Sequence, residues 1–445
     1  MKAIHLSISD NFARPQILWV LFFCYSIIVA LVFQKYIVPN MPSLHAAGSV
    51  LTNDATYFHG IAASLADDIR NHGWSQWKLF PNNSSAGHVS ILAALYVVFG
   101  TEPMVAMPLN AALHALGGVL MFLIASKVVE NKVMAKYVGV IAASAFILFP
   151  SAVNWYGQIH KDAYLIVGAL LVLLVWLTAL HIKPNAKVFL KLLCFNAFGV
   201  FLIAFTRPST LKILMLISLV VFVAFVILLL AQRTCKSKSI LIFFMLVMLT
   251  LGIAMKTVGT YGGENLFGNG YIAEVEAQTN NWHWKNTEIV PDAVDKQFQA
   301  LASIRLSLQR YGVGIKANSM IDVDVAPQNI LEVIQYTPRA LQIAMLAPFP
   351  NSWFEDVKLT KVLVSLEMVI LYFSFVGLVF LVRYQFNASV LLISLFAITF
   401  LSIYGVTISN VGTLHRLRYP YEMLMLLLGV SGWMLLLTKQ KMLKL

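Results

Sequence analysis

The chain has 445 residues, of which 59% are hydrophobic and only 12% charged, with a formal net charge of +12. That balance excludes an ordinary soluble enzyme and describes an integral membrane protein, so the excess of Lys and Arg reads as membrane topology before nucleic-acid binding. Cys24, Cys194 and Cys235 all lie in or beside apolar runs, which argues against a disulfide framework and excludes a CxxC metal site.

In chain order, apolar runs of about the length of a membrane span cover about 17–38, 105–126, 137–156, 163–182, 189–206, 211–231, 239–256, 361–382, 388–408 and 419–437. The first is longer than a signal-peptide core and has no small-residue cleavage site after it, so it is kept as a span. Val89 to Gly100 and Ile334 to Pro350 are apolar too, but of the length of interfacial or re-entrant segments. Leaving both out of the count puts Lys127, Lys132 and Lys136, Lys183 and Lys187, Arg233, Lys236 and Lys238, Arg383 and the C-terminal lysines on one side, together with Lys2 and Arg14. Short basic connections are cytoplasmic, so both termini are expected inside. Two large loops, about 39–104 and 257–360, and short turns near 157–162, 207–210 and 409–418 then face outward.

The fold expected is an all-α polytopic membrane bundle of about ten transmembrane helices with interfacial helices in the two extracytoplasmic loops. It divides into an N-terminal transmembrane module (1–256), a large loop (257–360) and C-terminal helices (361–445). Within the large loop, DAVDKQFQALASIRLSLQRYG reads as an amphipathic helix. In the segment after it, Pro338, Pro348 and Pro350 are expected to break helices, and its aromatics suit the membrane surface. No Gly-rich phosphate loop, zinc motif or repeat of 20 to 50 residues is evident, so nucleotide hydrolysis has no support.

The first candidate for chemistry is Asp54, in TNDATYF just after the first span, with Tyr57 beside it. Partial desolvation there would raise its pKa toward the range of a general base; alternatively, Asp54 and Asn53 cap the helix that follows. His160, Lys161 and Asp162 crowd one short turn, where Lys161 could also snorkel and Asp162 could cap the next helix. Arg207, and Arg416 and Arg418 before the last span, lie on the outer side against the charge trend, and guanidinium forks there suit a phosphate or pyrophosphate. Binding of lipid headgroups is the alternative for them. Glu422 lies within the last span and needs a partner, for which Arg416 or Arg418 is the choice; Glu367 lies deeper with no assigned role.

The Asp in NDATYF, then HVSILAALYVVFG and MPLNAALHALGGVLMFLIASKVV, FPSAVNWYGQIHKDAY, and RLRYPYEMLMLLLG near the C-terminus, resemble the GT-C class of bacterial polytopic glycosyltransferases. They are similar to the families related to protein mannosyltransferases and aminoarabinose transferases. The resemblance covers most of the first 240 residues and the last 30. It implies a polyprenyl phosphate or pyrophosphate sugar donor, a glycan, lipid or protein acceptor, and transfer outside the bacterial inner membrane. It implies a catalytic role for Asp54 and a second acidic position at Asp162, although HKD replaces the more usual acidic-Pro pattern there. Lys161, His160, Arg207, Arg416, Arg418 and Tyr57 would bind substrate or carrier phosphate, and Arg418→Ala would chiefly weaken donor binding. No metal-ligand spacing is visible, and a divalent cation, Mg or Mn, is compatible with the scattered carboxylates. Polysaccharide polymerases or ligases share the same donors and outer arginines. A lipid-linked-sugar flippase is a third reading, against which stand the absence of a duplicated half and the clustering of ionisable groups at one edge. A non-catalytic membrane scaffold is a fourth.

Overall fold

The structure is a computed structural model that describes residues 14–41, 50, 54–81, 86–181, 186–230, 238–262, 282–317, 319–354 and 359–442. Among these residues the fold is all-α: fifteen α-helices, with one isolated β-bridge between Met320 and Asn410. Among the described residues nine helices are long and apolar enough to cross a membrane, or ten when one bent pair counts as a single span. This is an integral membrane helical bundle. In lipid a helix satisfies every backbone group internally, which is why long apolar sequences adopt this one form.

The first span is α1 (Pro15–Val32), extended by a π turn and a 3-10 turn to Asn40. Helix α2 (Asp54–His72) follows, burying Phe58, Ala62, Leu65, Ala66 and Ile69 at helical spacing against α3 (His88–Phe99). At 12 residues α3 is roughly 18 Å long, short of the ~30 Å hydrocarbon core, as its length suggested. Gly87, just before α3, donates its backbone N–H to the Phe205 carbonyl at 3.0 Å. A Cβ there would meet the Phe205 ring and that same oxygen, so only glycine allows the approach.

The core spans are α4 (Met107–Val128), α5 (Lys132–Leu148), α7 (Asp162–His181), α8 (Ala186–Thr206), α9 (Thr210–Leu230) and α10 (Lys238–Gly262). The expected span 137–156 is instead broken: α5 ends before Pro150, and the short α6 (Val153–Tyr156) leaves at 51°. Pro150 cannot donate the amide that would continue the helix, and the freed Ser151 N–H donates to Glu367 Oε1 at 2.7 Å. Buried polar pairs tie the spans together: Trp176 Nε1 donates to Asn196 Oδ1 at 2.9 Å between α7 and α8, and Ser26 meets His114 Nδ1 at 2.8 Å between α1 and α4.

The large loop contributes α11 (Asp292–Gly314) and α12 (Ile330–Leu346). Arg305 on α11 is buried and donates to the carbonyls of Val325, Asp322 and Val406, which pins the loop to the bundle. Helix α12 opens on a reciprocal cap: Asn329 accepts from the Glu332 N–H at 2.9 Å, and Glu332 reaches back to the Gln328 N–H at 2.7 Å. Contrary to expectation, Pro338 lies inside α12 without ending it. Packing overrides the local cost, because Ala340, Ile343 and Ala344 are buried against α14 (Ala388–Thr407), where a Cβ on Gly405 would strike the Ala340 carbonyl.

Helix α13 (Leu359–Tyr384) and the final helix α15 (Val411–Met442) form the tightest pair, because Gly377, Gly429 and Gly432 let the backbones meet with no room for a Cβ. The last helix starts at Val411, so Arg416 and Arg418 lie inside it and not in a turn before it.

Candidate functional site

Four helix ends converge on one cluster of charge. Asp54 opens α2, Asp162 opens α7, Arg207 follows α8, and Arg416 comes from the first turns of α15. Arg416 bridges the two acids, with Nη2 at 2.7 Å from Asp54 Oδ2 and Nε at 3.2 Å from Asp162 Oδ2. Arg207 Nη2 lies 3.8 Å from Asp162 Oδ1. The acids differ in setting: the Asp162 side chain is only 3% exposed, whereas that of Asp54 is 49% exposed. Asp162 is therefore the buried counter-ion of two guanidiniums, and Asp54, which accepts a hydrogen bond from Arg416 Nη2, is the solvent-facing one.

His160 and Lys161 lie in the turn between α6 and α7 that presents Asp162. Lys161 Nζ sits 5.8 Å from the centroid of the Phe58 ring, with no carboxylate of the described residues within ion-pair distance. Burial, reinforced by the Arg207 guanidinium and only partly offset by Asp162 and Asp54, pushes Lys161 down to about 7. Burial and Arg416 push His160 down to about 4, so it is a neutral imidazole near neutral pH. A neutral ring can meet a phosphate oxygen only as an N–H donor and not as a cation.

The pKa expected for Asp54 is corrected in sign. Burial alone would raise the carboxyl, but Arg416, by charge and by hydrogen bond, holds it below the ordinary carboxylate value, with His160 and Lys161 acting in the same direction. In this state Asp54 is a poor base because it is paired. With Lys161 protonated the cluster carries three cations against two carboxylates. An anion held there should bind less tightly as pH rises through about 7, where Lys161 loses its proton. Titrating a short-chain polyprenyl phosphate against the purified protein from pH 6 to 9 checks this, and Lys161→Arg should flatten the profile.

Arg418 stands apart from this cluster. It is fully buried, with Nε 3.0 Å from Glu422 Oε1, and it donates to the Ala344 and Ile343 carbonyls at 3.0 and 3.3 Å. The Ile343 carbonyl also accepts from the Ala347 N–H at 3.0 Å, whereas the Ala344 carbonyl lies in the last turn of α12 beyond that bond, so Arg418 caps the end of that helix. Arg418 Nη2 also donates to His415 Nδ1 at 2.8 Å, which leaves His415 Nε2 to face Glu367 Oε2 at 3.4 Å. The partner expected for Glu422 is thus Arg418, and Glu367, unassigned from sequence, closes the α5–α6 break. Arg418 is thus engaged within the protein and lies apart from the cluster of Arg416, Arg207 and Lys161. Tyr57 points away from the buried face of α2 and is 56% exposed.

One residue of this region was missed from sequence. His88, at the start of α3, is buried and makes an edge contact with Phe58 at 4.5 Å, yet neither ring nitrogen has a hydrogen-bond partner among the described residues. Its only local signal was the Gly87 that precedes it, which has no distinctive meaning before the Phe205 approach is known. Among the described residues no three His, Cys, Asp or Glu side chains converge as a metal site. The chain matches no family model and no curated protein.

Proposed function

We propose that this protein is a membrane glycosyltransferase that moves a sugar from a polyprenyl phosphate, or pyrophosphate, carrier to a glycan, lipid or protein acceptor on the extracytoplasmic side of a bacterial inner membrane. The observation that carries the reading is the Arg416 bridge: a half-exposed carboxylate and a buried one share a single guanidinium, with Arg207 and Lys161 beside them. An enzyme of this kind needs a base for the acceptor hydroxyl and cations for the leaving phosphate, side by side.

The pairing of Asp54 links the two needs. A carrier phosphate engaging Arg416 competes with Asp54 for the same donors, while Asp162 keeps the guanidinium in place. Released from Arg416, Asp54 loses the chief influence that holds its pKa down and regains basicity only when the donor is bound. Asp54 then takes the proton of the acceptor hydroxyl, the hydroxyl oxygen forms a bond to the anomeric carbon, and the bond from that carbon to the carrier oxygen breaks. Its electron pair leaves with the phosphate, which Arg416, Arg207 and Lys161 stabilise. Displacement in one step inverts the anomeric configuration. The test is reconstitution of the purified protein with a single-sugar polyprenyl phosphate and bacterial envelope extract as acceptor source, scored by formation of a glycosidic bond.

A further inference from the structure

Beside the charge cluster lies a small, partly open pocket between α3, the start of α4 and the turn before α7. It has about 10 Å³ of room for the centre of a water-sized sphere, enough for a single oxygen atom with its hydrogen. Two histidines line it, His88 and His160, which are 4% and 8% exposed. Among the described residues, both ring nitrogens of His88 and Nδ1 of His160 lack a hydrogen-bond partner. Most of the remaining wall is apolar, with Leu92, Leu95 and Leu109.

Buried polar nitrogens without partners are uncommon in folded proteins, and a water or a ligand hydroxyl can supply the missing hydrogen bonds. The chemistry of the missing partner follows from the protonation of the rings. His88 is held well below its ordinary value by burial and by Lys161 and His160, against the weaker opposing pull of Asp54; His160 lies at about 4. The charged groups facing the pair are Lys161 and Asp162 from the turn and the start of α7, Asp54 from α2 and Arg416 from α15. Two neutral imidazoles each offer one donor and one acceptor, which is the complement of a hydroxyl group and not of an anion.

We propose that this pocket is the seat of a hydroxyl group of an uncharged alcohol, held between His88 and His160. On the reading above it is the acceptor hydroxyl, next to Asp54. The division of labour is then electrostatic: the cations take the carrier phosphate, and the neutral histidines take the acceptor.

The test uses full-length protein in nanodiscs with 15N-labelled histidine, the ring signals of His88 and His160 being assigned from His88→Asn and His160→Asn. Titration with methyl β-glucopyranoside should shift both rings saturably while they keep neutral-imidazole signatures, and inorganic phosphate should not displace it. Absence of a saturable shift at either ring, or an unchanged His160 response in His88→Phe, would overturn the proposal. In the transfer assay, His88→Phe should raise the acceptor KM about tenfold or more and leave the donor KM unchanged, while His88→Asn, which keeps a donor and an acceptor, stays closer to wild type. Thermal melting of both variants verifies folding. Ring shifts without any transfer would keep the hydroxyl seat and remove the transferase reading; transfer unaffected by His88→Phe would do the reverse.

Discussion

Asp54→Asn should abolish sugar transfer, lowering turnover by about 10² to 10⁴-fold, the usual contribution of a positioned base, while the protein folds and melts close to wild type. The two halves of that result have separate causes. Asparagine keeps the shape and a hydrogen-bond acceptor for Arg416 but cannot take a proton. The ion pair it weakens is half-exposed, and pairs of that kind contribute at most ~1 kcal/mol. Arg416 also retains Asp162, its buried counter-ion, so the guanidinium stays in place. A variant with full activity, or one that fails to fold, contradicts the assignment; activity in nanodiscs and a thermal melt read both.

Arg418→Ala should behave in the opposite way: it should destabilise the protein by about 3–5 kcal/mol, the cost of leaving one partner of a buried ion pair uncompensated. Glu422 would lose its counter-ion at 1% exposure, and the Ala344 carbonyl in the last turn of α12 would lose its side-chain donor. The loss should be seen first as reduced expression and a lowered melting temperature. Whatever folded protein remains should bind the donor with near-wild-type affinity, because Arg418 contacts α12, α13 and α15 and not the Asp54 cluster. Arg418→Ala with a normal melt and a weakened donor affinity would restore its phosphate role. Glu422→Gln, which keeps a hydrogen-bond acceptor, should be milder.

The contrast between two arginines only two residues apart shows what a sequence can and cannot carry. The apolar runs reported the bundle directly, since a run near twenty residues has one stable form in lipid, and the charge asymmetry excluded Val89 to Gly100 and Ile334 to Pro350 from the spans. Asp54, Asp162, Arg207 and Arg416 were legible as candidates because ionisable groups at a membrane edge need a reason to be there. Which of them meet was not legible: α15 begins at Val411, so Arg416 and Arg418 are two residues apart on a helix and point about 200° apart. The sign of the Asp54 shift was missed for the same reason, since burial was visible in the sequence and the opposing guanidinium, 362 positions away, was not. Pro338 misled because tertiary packing onto α14 outweighed its local cost, and His88 went unseen because its surroundings come from α2, α4 and the turn before α7.

On the proposed function the Arg416-bridged acids serve bond formation and not passage of a lipid through the membrane. The direct measurement is to reconstitute wild-type protein in liposomes with a radiolabelled single-sugar polyprenyl phosphate and acceptor extract, and to follow label in the acceptor and the side of the membrane on which the lipid resides. The expected result is label joined to acceptor by an inverted glycosidic linkage, free polyprenyl phosphate released in equal amount, and neither in Asp54→Asn. Movement of intact lipid-linked sugar across the bilayer, with no new glycosidic bond in either protein, would contradict it.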